Sequence, residues 1–407
     1  MTTSLSAGYR RYALGLFLTV NLLNYIDRQV LYAVFPLIKE SLQISDTSLG
    51  LLGSAFMVVY MCTAPIFGWI GDKGRRVGLA ASGLGIWSLA TVLAGLTTGY
   101  NQLLGARSLV GIGEASFGTV APGIISDYFP QEKRGRVLSW FYLAIPLGSA
   151  LGYLIGGFIG ARFGWNTAFL MVGLPGLLLV IPIALLKTVE FKKEAKVATG
   201  GYKTLLKNRS FIYNTLAMTA MTFAMGGMAQ WMPTFLNRIH GLSVERGNLL
   251  FGGLTVVAGI IGTLAGGWLG DYFQKKRPDG YLLVSGWGFI LGIPALVVAL
   301  TAANLTTVLA SIFMAEFCLF LNTGPLNTVI VNVTRHDTRA MAFAANIFVI
   351  HALGDAISPT FIGFLSDHWG LGNALLSTVA AIGLAALFCF ICGRKIAADL
   401  VIDAPAG

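Results

Sequence analysis

The chain has 407 residues, of which 55% are hydrophobic and only 11% are charged, and its mean hydropathy is +0.73. Because a soluble domain carries about 25% charged residues, this composition excludes a soluble globular protein. The formal net charge of +10 would suit a nucleic-acid partner. The basic residues instead follow the membrane pattern described below, so we expect no nucleic-acid partner.

Apolar stretches of roughly 18 residues or more recur along the whole chain, which is the length that crosses a bilayer core. The sequence therefore predicts an all-α polytopic membrane protein. Its twelve predicted transmembrane helices lie near 11–38, 46–71, 77–98, 102–129, 136–161, 167–186, 210–237, 248–271, 281–301, 305–333, 340–366 and 371–393.

The lysines and arginines are distributed unequally between the two sides of the membrane. When sides alternate after each predicted span, most of them fall on the side that holds both termini. Basic loops remain in the cytoplasm during insertion. We therefore expect both termini to be cytoplasmic, in a cell membrane or an inner membrane.

A pentapeptide repeats near the half-length of the chain, since GWIGD at 68–72 returns as GWLGD at 267–271. Each copy ends an apolar span and precedes basic residues, which indicates two similar membrane halves. We predict a six-helix bundle over 1–187, a cytoplasmic linker over 188–209 and a second, pseudo-symmetric six-helix bundle over 210–407. The lysine-rich linker either lies along the membrane surface or forms a flexible tether.

The repeated motif also predicts a conformational gate. A carboxylate at a helix end accepts hydrogen bonds from the positive N-terminus of a facing helix. We expect Asp72 and Asp271, together with Gly68, Arg75 and Arg76, to close the cytoplasmic side. The alternative is a pair of simple solvated helix ends.

Several ionisable residues lie inside predicted spans, where they usually face a water-filled cavity or one another. They are Asp27, Arg28, Arg107, Glu114, Glu316, His351 and Asp355. Arg107 and Glu114 are two helical turns apart, so they share one face at roughly 10 Å separation. Asp27 and Arg28 are adjacent and point about 100° apart, so they need different partners. We expect Arg28 to contact Glu114.

This arrangement predicts proton coupling. A carboxylate beside an arginine in a partly desolvated site binds a proton when the arginine is drawn to a substrate anion. We predict that Glu114 or Asp27 carries the proton, and that Arg28 and Arg107 hold its charge state or the substrate anion. The alternative is a permanent ion pair that locks the helices together.

Two sites in the second half have open interpretations. His351 lies mid-span with Asp355 one turn later, and its imidazole exchanges a proton near neutral pH. A cavity role in proton coupling and substrate binding is one interpretation, and plain packing is the other. For Glu316 we consider a helix-packing role.

The sequence contains no motif of nucleotide binding or enzyme chemistry. It has no GxxxxGK[ST] loop, no HExxH and no pair of CxxC motifs. The four cysteines lie in apolar spans and are interpreted as packing residues rather than metal ligands. We expect no cofactor, no metal and no enzyme activity.

Twelve spans, a 6+6 repeat and the G-x-x-x-D motif followed by basic residues resemble the major facilitator superfamily. Within it, the chain resembles the Spinster-type transporters. The matching segments are NYIDR at 24–28, APIFG at 64–68, RSLVGIGEAS at 107–116, AP at 121–122 and HALGDAISP at 351–359.

The resemblance implies the export of lysolipids and sphingoid phosphates such as sphingosine-1-phosphate, with proton coupling. It also implies cavity or coupling roles for residues within those segments. These are Asp27, Arg28, Arg107, Glu114 and His351. We also expect Asn24, in the first of those segments, to bind the substrate.

We therefore predict a monomeric secondary transporter that works by alternating access in the lipid bilayer and binds protons and a lipid-like anion. One alternative is a transporter of a small organic acid or drug, which would need a closed polar cavity with cations in both halves. A more distant alternative is a membrane sensor or channel. A lipid substrate instead predicts a lateral, apolar opening.

Overall fold

The computed structural model describes residues 5–71, 73–74, 76–187, 205–335 and 338–400, and these form helices without any β-strand. The chain divides into two compact units. The first comprises Met1–Lys193 and Met232–Gly252, and the second comprises Glu194–Trp231 and Gly253–Gly407. Most of the predicted linker, residues 188–204, lies outside the described residues.

Eight helices of the first unit lie in the part of the chain before the predicted linker. They are α1 Ala7–Ala33, α2 Phe35–Leu42, α3 Asp46–Gly71, α4 Arg76–Gly95, α5 Tyr100–Tyr128, α6 Gln131–Tyr142, α7 Ala144–Phe163 and α8 Trp165–Ala184. Helix α4 packs against α5 and α8, while α1 packs against α7. The Ser6 side chain caps α1 by accepting a hydrogen bond from the Tyr9 backbone N–H.

The remaining described helices follow the predicted linker. They are α9 Arg209–Arg238, α10 Val244–Gln274, α11 Gly280–Thr301, α12 Leu305–Phe320, α13 Thr323–Val333, α14 Arg339–Ile350, α15 Ser358–Trp369, α16 Leu371–Gly393 and α17 Ile396–Asp399. A π-helical segment, His351–Asp355, connects α14 to α15. Helix α11 packs against α12 and α16, and α15 packs against α16.

Ten helical segments of the described chain are long and apolar enough to cross a membrane, and they match ten of the twelve predicted spans. The two others, 11–38 and 210–237, coincide with α1 and α9, which have 27 and 30 residues. Both are long enough to span a bilayer, but polar residues lower their hydropathy. In α1 these include Asn24, Asp27 and Arg28. The all-α polytopic fold is confirmed, and ten of the predicted spans coincide with described helices that are long and apolar enough to cross a membrane.

A close approach of α4 and α5 fixes the position of the candidate site in the first unit. A Cβ atom added at Gly113 would lie 2.4 Å from the Trp87 backbone nitrogen and 2.6 Å from the Gly83 carbonyl oxygen. Only glycine allows these two backbones to approach so closely, as is common between helices in lipid. The contact fixes the height of Arg107 and Glu114 along α5 relative to α4.

Candidate functional site

Two ion pairs connect α1 to α5 in the first unit. Arg107 donates from Nη1 to Oδ1 of Asp27 at 3.1 Å, and Arg28 donates from Nε to Oε2 of Glu114 at 2.6 Å. The contact between Arg28 and Glu114 that the sequence predicted is therefore present. Asp27 and Arg28 use different partners, as their 100° offset requires.

The pair of Asp27 and Arg107 is sealed from solvent. The exposed fractions of the two side chains are 2% and 0%. Thr91 of α4 donates a hydrogen bond to Oδ2 of Asp27, and the Arg107 guanidinium lies 5.3 Å from the centroid of the Phe56 ring. A buried pair held from three helices costs several kcal/mol to break, which suits a fixed structural link between α1, α4 and α5.

The pair of Arg28 and Glu114 is open on its cationic side. The Arg28 side chain is 19% exposed, whereas Glu114 is fully buried. The guanidinium of Arg28 lies 5.1 to 5.2 Å from the ring centroids of Tyr25, Phe56 and Tyr60. Aromatic faces at this distance attract the cation and hold its plane. The structure thus presents a positioned guanidinium that is partly accessible to solvent.

Unsatisfied polar atoms surround the two pairs. Oε1 of Glu114, Nδ2 of Asn24, and Nε and Nη2 of Arg107 are buried and have no hydrogen-bond partner among the described residues. Asn24 lies one turn before Arg28 on α1. Buried polar atoms without partners are costly, and a proton, a water molecule or a ligand can complete the bonding of Glu114 and Asn24, which lie beside the partly exposed Arg28.

The structure brings His351 and Asp355 together in the second unit. Nδ1 of His351 lies 2.9 Å and 3.0 Å from the two carboxylate oxygens of Asp355, and both side chains are partly exposed. Both residues belong to the π-helical segment between α14 and α15. Such one-turn π segments inside α-helices are frequent at functional sites. The sequence placed the two residues one turn apart but gave no signal for the π turn.

The predicted gate residues have partners inside their own units. Arg76 donates to Oδ2 of Asp127 at 3.3 Å in the first unit. The Tyr281 hydroxyl donates to Oδ1 of Asp271 at 2.7 Å in the second. Gly68 lies beside Thr119 of α5. The remaining predicted gate residues, Asp72 and Arg75, lie outside the described residues.

Sequence reasoning missed a second charged cluster, which lies in the first unit. Asp46, at the start of α3, is buried and accepts from Lys39 at 2.6 Å. It also accepts two hydrogen bonds from Nη1 of Arg238, at 2.9 and 2.8 Å. Lys39 belongs to α2 and Arg238 ends α9, so residues distant in the chain meet at one carboxylate. No spacing rule connects these residues, so the sequence gave no signal for this cluster.

A protein-family model, described as Major Facilitator Superfamily, matches residues 17–359 of this chain. The chain belongs to the major facilitator superfamily. Superfamily members of this kind are transporters, so the protein is an integral multi-pass membrane transporter and not an enzyme.

Similar proteins place this superfamily member in the Spinster group. It is 36% identical over 381 residues to protein spinster homolog 1 of Xenopus tropicalis, covering 87% of this chain and 72% of the relative. It is 33% identical over 396 residues to human protein spinster homolog 1, covering 90% and 75%. It is 34% identical over 378 residues to the sphingosine-1-phosphate transporter SPNS2 of Xenopus tropicalis, covering 87% and 73%.

Solved structures share the superfamily fold. A bacterial homologue of the human lysosomal transporter Spinster, solved in an inward-facing and unoccupied conformation, aligns with a TM-score of 0.89. That alignment covers 98% of this chain and all of the homologue at 23% identity. A D-xylose–proton symporter aligns with a TM-score of 0.76 at 16% identity, covering 95% and 99%. The predicted major facilitator fold is thereby confirmed.

Proposed function

We propose that the protein is a secondary transporter that moves an amphipathic, lipid-like anion by alternating access in exchange with, or together with, protons. The proposed substrate class is a lysolipid or a sphingosine-1-phosphate-like molecule, as in the name of one relative. The single observation that carries this proposal is the partly exposed Arg28, held by aromatic rings and paired with the buried Glu114.

Arg28 is the proposed binding group for the anionic head. A guanidinium presents a planar set of donors that matches a phosphate or carboxylate, and such charge-assisted bonds are the strong ones. The Tyr25, Phe56 and Tyr60 rings hold the guanidinium in place, which reduces the ordering cost of binding. Asn24, one turn away with a free amide donor among the described residues, is a second contact for the head.

Glu114 is the proposed proton carrier. When a substrate anion attracts Arg28, Glu114 loses its cation in a place that is fully buried. A carboxylate without a cation in such surroundings binds a proton, and the proton leaves again when Arg28 returns. Asp27 is a poorer carrier because its partner Arg107 is sealed and Thr91 already donates to it.

An apolar cavity supports the lipid-like nature of the substrate. A volume of about 530 Å³ in the first unit is lined by α7, α8 and the first turns of α10. Its lining residues are Leu154, Ile155, Phe158, Ile159, Phe163, Met171, Glu245 and Leu249. At one edge, Arg162 lies 3.6 Å from Glu245 and packs on the Phe158 ring. Most of these lining side chains are exposed, and we propose that this apolar groove holds an acyl chain better than a small organic acid.

The remaining sequence predictions extend this proposal. We propose that His351 and Asp355 form a second site for protons or for the substrate head. We also propose that the cytoplasmic gate contains Gly68, Asp72, Arg75, Arg76 and Asp271.

The proposal extends to the organisation of the chain. We propose a monomer with both termini in the cytoplasm, and with domain boundaries at 1–187, 188–209 and 210–407.

The proposal is tested by substrate-induced proton flux in proteoliposomes. We expect a lysolipid phosphate to drive proton movement in the wild type, and a simple organic acid to drive little. Both Glu114→Gln and Arg28→Ala should abolish the flux, while Glu40→Gln, at an exposed glutamate on α2, should retain it. Lipid transport with unchanged proton flux in Glu114→Gln would remove Glu114 from coupling. A response to the organic acid alone would favour the small-acid alternative.

A further inference from the structure

We propose that Glu316 is a separate proton-binding site in the second unit, which holds a proton in this conformation and releases it when water reaches α12. The inference concerns a residue outside the site described above. It does not depend on the identity of the transported substrate.

The geometry around Glu316 is that of a lone, buried acid. The residue lies in the last third of α12 and is 3% exposed. Its Oε1 accepts a hydrogen bond of 2.8 Å from the hydroxyl of Thr255 on α10. Its Oε2 is buried and has no hydrogen-bond partner in the described part of the chain.

Helices α10 and α11 pack tightly against α12 next to Glu316. A Cβ atom at Gly262 of α10 would lie 2.6 Å from the Phe317 carbonyl oxygen. One at Gly288 of α11 would lie 2.8 Å from the Cys318 carbonyl oxygen. The backbones of α10 and α11 therefore approach α12 closely at the two residues that follow Glu316.

No cation on the packed helices lies near Glu316. The ionisable side chains of these three helices, apart from Glu316, are Glu245, Arg246, Asp271 and Tyr272 on α10, Tyr281 on α11 and Cys318 on α12. Along α10, Arg246 precedes Thr255 by about 13 Å, and Asp271 follows it by about 24 Å, at 1.5 Å per residue. The carboxylates Asp27 and Glu114 of the first unit, by contrast, each have an arginine.

A carboxylate in this position would be a buried charge without a counter-ion. Such a charge is far more costly than the neutral acid, and proteins avoid it by binding a proton. One donor from Thr255 satisfies the carbonyl oxygen of the acid form. The charged form becomes acceptable only when water solvates it, which requires α10 and α12 to separate. Glu316 therefore binds and releases a proton as its packing closes and opens.

Infrared spectra of the full-length protein without substrate test this site when the spectrum of each variant is subtracted from that of the wild type. We expect the wild type at neutral pH to show a carbonyl band of a protonated carboxyl group that is missing in Glu316→Gln. The same band should persist in Glu40→Gln. Thr255→Val should keep the band but move it to higher frequency, because the carbonyl oxygen loses a hydrogen bond. This second variant reports on the site even where Glu316→Gln folds poorly.

Transfer to D₂O tests whether the proton leaves. We expect the Glu316 band to move to lower frequency as deuterium replaces the acid proton, because the site opens to water. Identical spectra for the wild type and Glu316→Gln would overturn the proposal, as would a band that never exchanges. Either result would leave the exchange between Arg28 and Glu114 untouched, since that exchange is measured by substrate-induced proton flux.

Discussion

The two units handle buried carboxyl groups in opposite ways. In the first unit, Asp27 and Glu114 each face an arginine from a neighbouring helix. In the second unit, the Thr255 hydroxyl is the one hydrogen-bond partner of Glu316 among the described residues, and Asp355 has a histidine on its own helical turn. A carboxyl group that is paired with an arginine changes its protonation state only when the arginine moves away. A carboxyl group without a cation changes its protonation state when water reaches it.

The two pairs of the first unit show the same contrast on a smaller scale. The Asp27–Arg107 pair is sealed and held by Thr91, while Arg28 in the other pair is 19% exposed. Asp27 and Arg28 are adjacent on α1, so one turn of this helix contributes to a sealed pair and to a partly exposed pair. In our proposal, the exposure of the cation separates a structural pair from a pair that exchanges its partner.

Breaking the sealed pair should give the largest effect. Arg107→Ala leaves the buried Asp27 carboxylate without its cation, which we expect to cost about 3–5 kcal/mol of folding free energy. The thermal unfolding midpoint of the purified protein would measure this loss. The double variant Asp27→Asn, Arg107→Ala should recover part of it, because no buried charge remains. An unaltered midpoint for Arg107→Ala would show that the pair is not structural.

Removing the exchangeable cation should instead reduce binding more than stability. Arg28→Ala removes a charge-assisted contact worth about 1.5–3 kcal/mol, so we expect affinity for a lysolipid phosphate to fall roughly 10- to 100-fold. Equilibrium binding to the purified protein would measure it, with the unfolding midpoint as control. Arg28→Lys should recover only part of the affinity, because the planar donor pattern is lost. Equal affinity in Arg28→Ala and the wild type would place the head elsewhere.

Filling the apolar cavity would sharpen the distinction between a lipid and a small acid. Leu249→Trp occupies space that an acyl chain would use, and excluding two methylene groups costs about 1.6 kcal/mol. We expect roughly tenfold weaker binding of long-chain substrates and no change for short-chain ones. Binding across a series of chain lengths would reveal this pattern. A uniform change at every length would exclude the cavity as the site of the tail.

The exposed ion pair at the rim of the cavity should contribute least. Arg162 and Glu245 are 3.6 Å apart and well exposed, with exposed fractions of 54% and 41%. Such surface pairs contribute about 0–1 kcal/mol. We expect Arg162→Ala to leave the unfolding midpoint nearly unchanged, in contrast to Arg107→Ala. A large loss of stability would mean that the rim supports the first unit.

Part of the candidate site could be predicted from the sequence because local helix geometry determines which residues share one face of a helix. The 100° offset of Asp27 and Arg28 and the two-turn spacing of Arg107 and Glu114 predicted the contact of Arg28 with Glu114. The spacing of His351 and Asp355 placed them one turn apart on the same helix, where side chains can meet. The family resemblance and the all-α fold followed from motifs and apolar lengths that depend on nearby residues.

Other contacts set by tertiary packing could not be predicted. Thr91 donates to Asp27 across 64 positions, and Arg238 reaches Asp46 across 192. No periodicity connects such residues, because the angles at which the helices cross decide the contact. The isolation of Glu316 is likewise invisible in sequence, since it depends on which helices surround α12.

The most direct test of the central claim is the proton stoichiometry of substrate binding, measured by calorimetry in buffers of different ionisation enthalpy. If the substrate anion replaces Glu114 as the ion-pair partner of Arg28, we expect the wild type to take up close to one proton for each lysolipid phosphate that it binds. Glu114→Gln should bind the lipid without proton uptake, and Glu316→Gln should behave like the wild type at this step. Proton uptake that is absent in the wild type, or unchanged in Glu114→Gln, would contradict the exchange between Arg28 and Glu114.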